Sequence, residues 1–177
     1  MIDLKTSNFH IEQISDLSEF TGEIYRFPEE QHPQNSVMLR ITPMDKPSWT
    51  GLFDVGIFGL SGIWEMPNPQ QFCIIQNGNG YIVDACSPSN TQQIPIKCID
   101  FASHIIAAKL FLTASYYSAC AYDEAGIRWH PEFVVSDDLK IVDVNDTEIV
   151  CNGSIDGRSV ELILDLKTGK VLNETFK

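Results

Sequence analysis

The sequence predicts a mainly β fold: an antiparallel meander, a sandwich or a partly open barrel, with one or two short helices. Three observations predict it. Two β-branched, apolar runs flank the tight-turn signal Asn77-Gly78-Asn79-Gly80. Turn signals recur from Tyr122 to Leu172 at a spacing of about 8–13 residues, as in an antiparallel sheet. The composition is that of an ordinary globular chain, with 44% hydrophobic and 20% charged residues in 177. This excludes long disorder, collagen and coiled coil and suggests one domain over 1–177.

Residues 1–35 are polar and acidic. Phe9, Ile11, Ile14, Leu17 and Phe20 recur every two or three residues, which predicts an N-terminal arm or short helix followed by a loop at Pro28 and Pro33. The first β portion spans 36–115. Ser36–Thr42 reads as a strand that Pro43 ends, and Phe53–Leu60 as a strand kinked by Gly56 and Gly59. The hairpin Phe72–Asp84 is the clearest local signal, because Asn and Gly tolerate the positive φ of a tight turn. Ile94–Ile99 reads as an edge strand, since Pro95 cannot donate to a ladder. For 100–121 the alanines favour helix and the β-branched and aromatic residues favour strand. Strands over Lys109–Thr113 and Tyr116–Tyr122 are expected, with a helix over Asp100–Leu112 as the competing reading. The C-terminal meander, 116–177, is expected to be one continuous sheet from Tyr116 to Leu172. It should bury Ile141, Val150, Leu162 and Leu164, with Val160, Leu162, Leu164 and Leu166 on one face of a strand.

The phrase Leu162-Ile163-Leu164-Asp165-Leu166-Lys167-Thr168-Gly169-Lys170-Val171-Leu172 resembles the strand–turn–strand piece of quinoprotein-type propeller blades. A blade takes about 40–45 residues, and no repeat of that length carries the whole phrase upstream. A fainter echo links Asn77-Gly78…Val83-Asp84 with Asp156-Gly157…Leu164-Asp165.

The five cysteines, Cys73, Cys86, Cys98, Cys120 and Cys151, form no C-x-x-C pair. Most lie in apolar runs and read as buried free thiols of a cytoplasmic protein. The N-terminus has no apolar leader, and the stretch near Ile105–Ala121 is too interrupted for a membrane span.

Arg128-Trp129-His130-Pro131-Glu132 is the most site-like cluster. His130 has the chemistry of a general base, Glu132 that of its orienting carboxylate, and Arg128 supplies a cation. The competing reading is a surface corner capped by Trp129. A hydrolase centred on His130 is an alternative function, but an enzyme is the less favoured class. No nucleotide fingerprint occurs, no G-x-S-x-G occurs, and the acids of the C-terminal meander lack calcium-loop spacing. No metal and no cofactor is expected. Trp49, Phe53, Phe58 and Trp64 cluster in a glycine-rich stretch and, with Trp129, are candidates for an aromatic binding pocket, a second alternative.

Charge favours a third class. Twenty-four acids against twelve bases give a net charge of −12, which disfavours nucleic acid and anionic membrane. The excess lies in 1–60 and 111–177, mostly at turns and polar strand faces. The preferred expectation is a protein-interaction module whose acidic surface meets a basic protein. By analogy alone this is the manner of antitoxins and immunity proteins.

Overall fold

The computed structural model describes residues 3–16, 18, 22–28, 35–131 and 134–177. The fold is mainly β, with four sheets dominated by antiparallel pairing and none closed into a barrel. The chain divides into two compact units, residues 1–65 with 69–95, and residues 66–68 with 96–177.

The first unit holds a five-stranded and a four-stranded sheet. The five-stranded sheet contains β1 (Asp3–Lys5), β2 (Phe9–Gln13), β3 (Ile24–Phe27), β4 (Ser36–Pro43) and β5 (Trp49–Asp54). Its order is β1-β2-β4-β5-β3. The last strand, β3, lies parallel to β5, with Ile24 beside Thr50 and Phe27 beside Phe53. The four-stranded sheet is a meander of β6 (Gly62–Glu65), β7 (Gln71–Gln76), β8 (Asn79–Asp84) and β9 (Gln92–Gln93). Phe9, Ile11, Leu39, Ile41, Phe53, Phe72, Ile74 and Tyr81 form its core. Burying each such side chain contributes roughly 1.5–3 kcal/mol.

Where the sequence suggested an N-terminal arm or short helix, Phe9–Gln13 is a strand: Phe9 and Ile11 are buried while His10 and Glu12 are not, the period-two pattern. Leu17 and Phe20 lie outside the described residues. The strand expected over Phe53–Leu60 ends at Asp54. The hairpin of β7 and β8 matches the expectation. Gln76 pairs with Asn79, and Asn77 and Gly78 both take positive φ, 45° and 81°, as a two-residue turn requires. The edge strand expected at Ile94–Ile99 is reduced to Gln92–Gln93. Beyond it Ile94, Ile96 and Ile99 are still buried, but Pro95 lacks an N–H and Cys98 has φ 57°, so no ladder continues.

The second unit holds two four-stranded meanders. One contains β10 (Phe101–Ile105), β11 (Leu110–Ala114), β12 (Ala119–Asp123) and β13 (Gly126–Trp129). The other contains β14 (Asp137–Val144), β15 (Glu148–Ile155), β16 (Arg158–Asp165) and β17 (Val171–Phe176). The strand reading of 109–122 is therefore the one realised, and the competing helix over Asp100–Leu112 is not. Short three-residue 3₁₀ turns lie at Pro88–Asn90 and Ile106–Ala108.

Two further expectations are corrected. The C-terminal region is two sheets rather than one, with the chain passing between them after Trp129. Leu162 and Leu164 are buried, but Ile141 and Val150 are only partly so; Leu139, Ile149 and Cys151 fill the core instead. Register explains this. Ile149 stands opposite Leu164 and Cys151 opposite Leu162, so Val150 and its partner Ile163 face away. Irregularities in β14 between Asp137 and Lys140, and between Ile141 and Asp143, disturb the alternation there.

A shared construction joins the sheets within each unit. The third strands β8, β12 and β16 all end in aspartate, at positions about 40 residues apart, the length of one four-stranded repeat. Asp84 Oδ1 accepts the N–H groups of Cys86 and Ser87, each at 2.9 Å. Asp123 Oδ1 accepts that of Ala125 at 2.8 Å, and Asp165 Oδ1 accepts the Thr168 hydroxyl at 2.6 Å. In each unit a buried tryptophan from the preceding sheet then donates to the carbonyl just after an aspartate. Trp49 Nε1 donates to Ala85 O, 36 residues on, at 2.8 Å. Trp129 Nε1 donates to Leu166 O, 37 residues on, at 2.8 Å.

Candidate functional site

Three features of the units bear on function: a cleft beside Trp49, the corner at Arg128–His130, and the outer face of β14–β17. In the first unit, the turn after β4 and the segment after β8 bound a cleft of about 270 Å³, lined by Tyr25, Pro43, Lys46, Trp49, Cys86 and Pro88 among others. Trp49 is held by its bond to Ala85 O, and Tyr25 meets it edge-on, with ring centroids 5.4 Å apart. Lys46 Nζ donates to Cys86 O at 2.8 Å, and the Tyr25 hydroxyl donates to the Glu23 carboxylate. That carboxylate pushes the Tyr25 phenol above its ordinary pKa. With these polar groups engaged, the cleft offers chiefly flat apolar surface.

The other aromatic candidates do not join it. Phe53 is fully buried in the core, stacked with Phe27 at 5.1 Å. Phe58 is about half exposed, and Trp64 is partly buried in β6, its ring over Gly62. A second cleft of about 200 Å³ contains Phe27, Pro28, Tyr81 and Thr91. The Tyr81 and Thr91 hydroxyls are buried and have no hydrogen-bond partner among the described residues.

In the second unit strand alternation sends Arg128 and Trp129 to opposite sides of β13. Trp129 points into the core, only 8% exposed. Arg128 points out: its guanidinium lies 3.6 Å from Asp123 and its Nε donates to Lys167 O at 3.4 Å. His130 is exposed at the end of β13, and its ring has no hydrogen bond among the described residues. Glu132 lies outside the described residues.

The outer face of β14–β17 collects acids. Opposite positions across a ladder share a face. Glu148 is opposite Asp165, Val150 opposite Ile163, and Asn152 opposite Glu161. Asp143 and Lys140 extend the same face through their partners Val150 and Asn152. The result is an apolar pair, Val150 and Ile163, framed by Asp143, Glu148, Glu161 and Asp165. Lys177 bridges Glu161 at 2.9 Å. The hydroxyl of Thr168 and neighbouring backbone N–H groups hold the Asp165 carboxyl below its ordinary pKa, so it is ionised at neutral pH directly across from Glu148.

The cysteines are free: Cys73, Cys120 and Cys151 are buried and Cys86 and Cys98 partly so. Burial pushes the Cys120 and Cys151 thiols up to about 11 and the Cys73 thiol well above its ordinary value. His104 and Cys120 lie on β10 and β12 with β11 between them. Among the described residues no three His, Cys, Asp or Glu side chains are grouped to hold a metal ion, and no helix is long and apolar enough to cross a membrane.

Of the residues at these features, the sequence singled out Trp49, which lines the cleft, and the acids of the C-terminal meander. It missed Tyr25, Lys46 and the pairing of Glu148 with Asp165. Nothing local marks Tyr25 as a neighbour of Trp49, because the parallel pairing of β3 with β5 creates that contact. In the comparisons with known proteins, no family model and no curated protein matches the chain.

Proposed function

We propose that this chain is a protein-interaction module that receives a basic partner on the outer face of β14–β17. The observation that carries the reading is the Glu148–Asp165 pair, a like-charge opposition beside the apolar Val150–Ile163 pair. An apolar centre framed by carboxylates suits a basic surface with an apolar anchor. Binding of this kind speeds encounter and weakens with salt. An antitoxin or immunity role remains an analogy of surface chemistry.

The test is capture from native lysate at low and at moderate salt, with wild type and with Glu148→Gln/Glu161→Gln. Glu148→Gln removes one charge and Glu161→Gln the exposed ion pair to Lys177, so stability should stay within about 1 kcal/mol of wild type. A basic protein held by wild type at low salt, released at moderate salt and not held by the variant supports the reading. Capture that ignores both salt and the variant counts against it and favours the apolar cleft beside Trp49.

A further inference from the structure

The cleft of about 200 Å³ in the first unit is lined by Phe27 and Pro28, at the end of β3, and by Tyr81, Ser89, Thr91 and Gln93. Local structure assembles this set. Tyr81 stands opposite Gln93 in the β8–β9 ladder, so both side chains leave the sheet on one side. The 3₁₀ turn Pro88–Asn90, closed by the Thr91 N–H donating to Pro88 O at 3.0 Å, brings Ser89 and Thr91 to the same cleft. The Phe27 ring meets that of Tyr81 with centroids 6.4 Å apart and supplies an apolar wall.

The polar groups of this cleft are left unanswered. Tyr81 is only 2% exposed, and its hydroxyl has no hydrogen-bond partner among the described residues; the Thr91 hydroxyl is likewise buried and unpartnered. A buried hydroxyl in that state has given up water and gained nothing in return. One occupant able to bond to both settles the two together. Burial and the Asp54 carboxylate push the Tyr81 phenol well above its ordinary pKa, so it stays protonated and can donate. The Thr91 and Ser89 hydroxyls donate or accept. Gln93 Nε2 donates to Asn79 Oδ1 at 3.5 Å, which leaves the Gln93 carbonyl oxygen to accept. Among the described residues that line the cleft none is charged, and the nearby Asp54 carboxylate disfavours an anion. The complement is an uncharged molecule that donates and accepts at several adjacent points and lays a C–H face on Phe27 and Pro28. Neighbouring hydroxyl groups on a small carbon frame have that chemistry, because each hydroxyl both donates and accepts.

We propose that this cleft binds a neutral polyol of monosaccharide size, with its hydroxyl groups on Tyr81, Thr91 and Gln93 and a C–H face on Phe27. The site lies in the first unit, whereas the acidic face lies in the second, and it does not rest on the acidic-surface reading.

The experiment is NMR titration of the full chain with glucose, galactose, mannose and myo-inositol, and with glucuronate as the charged counterpart. The expected result is saturable shifts at the amides of Tyr81, Thr91 and Gln93 with at least one neutral polyol, and weaker binding of glucuronate. Thr91→Val and Tyr81→Phe should each weaken the polyol by about three- to tenfold, the loss of one hydrogen bond. Ligand-free Tyr81→Phe gives a second readout. It removes a hydroxyl that nothing satisfies, so its urea midpoint should not fall below that of wild type. A lower midpoint would mean that a resident water or the neighbouring backbone already satisfies the phenol, and would overturn the proposal. So would an absence of saturable shifts with all four polyols, equal binding of glucuronate, or binding that both variants leave unchanged.

Discussion

Asp165 shows how one side chain serves both fold and surface. Its carboxylate closes the turn after β16 through Thr168 and stands on the acidic face across from Glu148. The Thr168 hydroxyl favours the ionised form, so the folded-state pKa lies below the ordinary value of 3.8. A depressed carboxyl contributes stability that is present above the unfolded value and is lost as pH falls through the folded value. The window is therefore acidic, below about 4. Thr168→Val removes the principal hydrogen bond, so the Asp165 midpoint should rise toward 3.8. Carboxyl carbon NMR over an acid titration reads this, and an unmoved midpoint would contradict the assignment. At this scale the sequence was partly legible. The aspartates at 84 and 165 stood in an echo of tight turn, strand and aspartate. Tyr25, whose role depends on a parallel strand contact, carried no local mark.

Among the elements, the hairpins were the most readable, since Asn77-Gly78 and Asp156-Gly157 state their own turn geometry. Strand faces were harder. A one-residue shift of register moves Val150 from core to surface, and the irregularities of β14 have no sequence signature. The turn from β16 to β17 gives a sharp test. Gly169 has φ +67° and a Cβ built there would lie 2.7 Å from the Trp129 ring, whereas Gly157, at φ +77°, has nothing within 4 Å. Gly157→Ala should cost only backbone strain, about 1 kcal/mol. Gly169→Ala adds overpacking against a ring fixed by its bond to Leu166 O, and should cost about 2–4 kcal/mol in all. Urea denaturation of the two variants measures the difference; equal losses would mean that Trp129 is not wedged at this turn.

Across the whole molecule, composition and turn spacing were enough for a mainly β chain built from antiparallel sheets. They did not reveal that each unit docks a tryptophan of one sheet onto the turn of the next. The reason is physical: each contact joins an indole N–H to a backbone carbonyl, of Ala85 or Leu166, and a carbonyl carries no side-chain signature. Charge was legible as an excess of acids in the C-terminal region, but its placement on one face emerged only from strand register. The central claim is that this face binds through charge. Its most direct measurement is the dissociation constant of the captured basic protein against salt concentration, for wild type and Glu148→Gln/Glu161→Gln. The account predicts that wild-type affinity falls steeply with salt and that the variant binds more weakly with a flatter dependence. Equal affinities and equal salt slopes for the two proteins would contradict it.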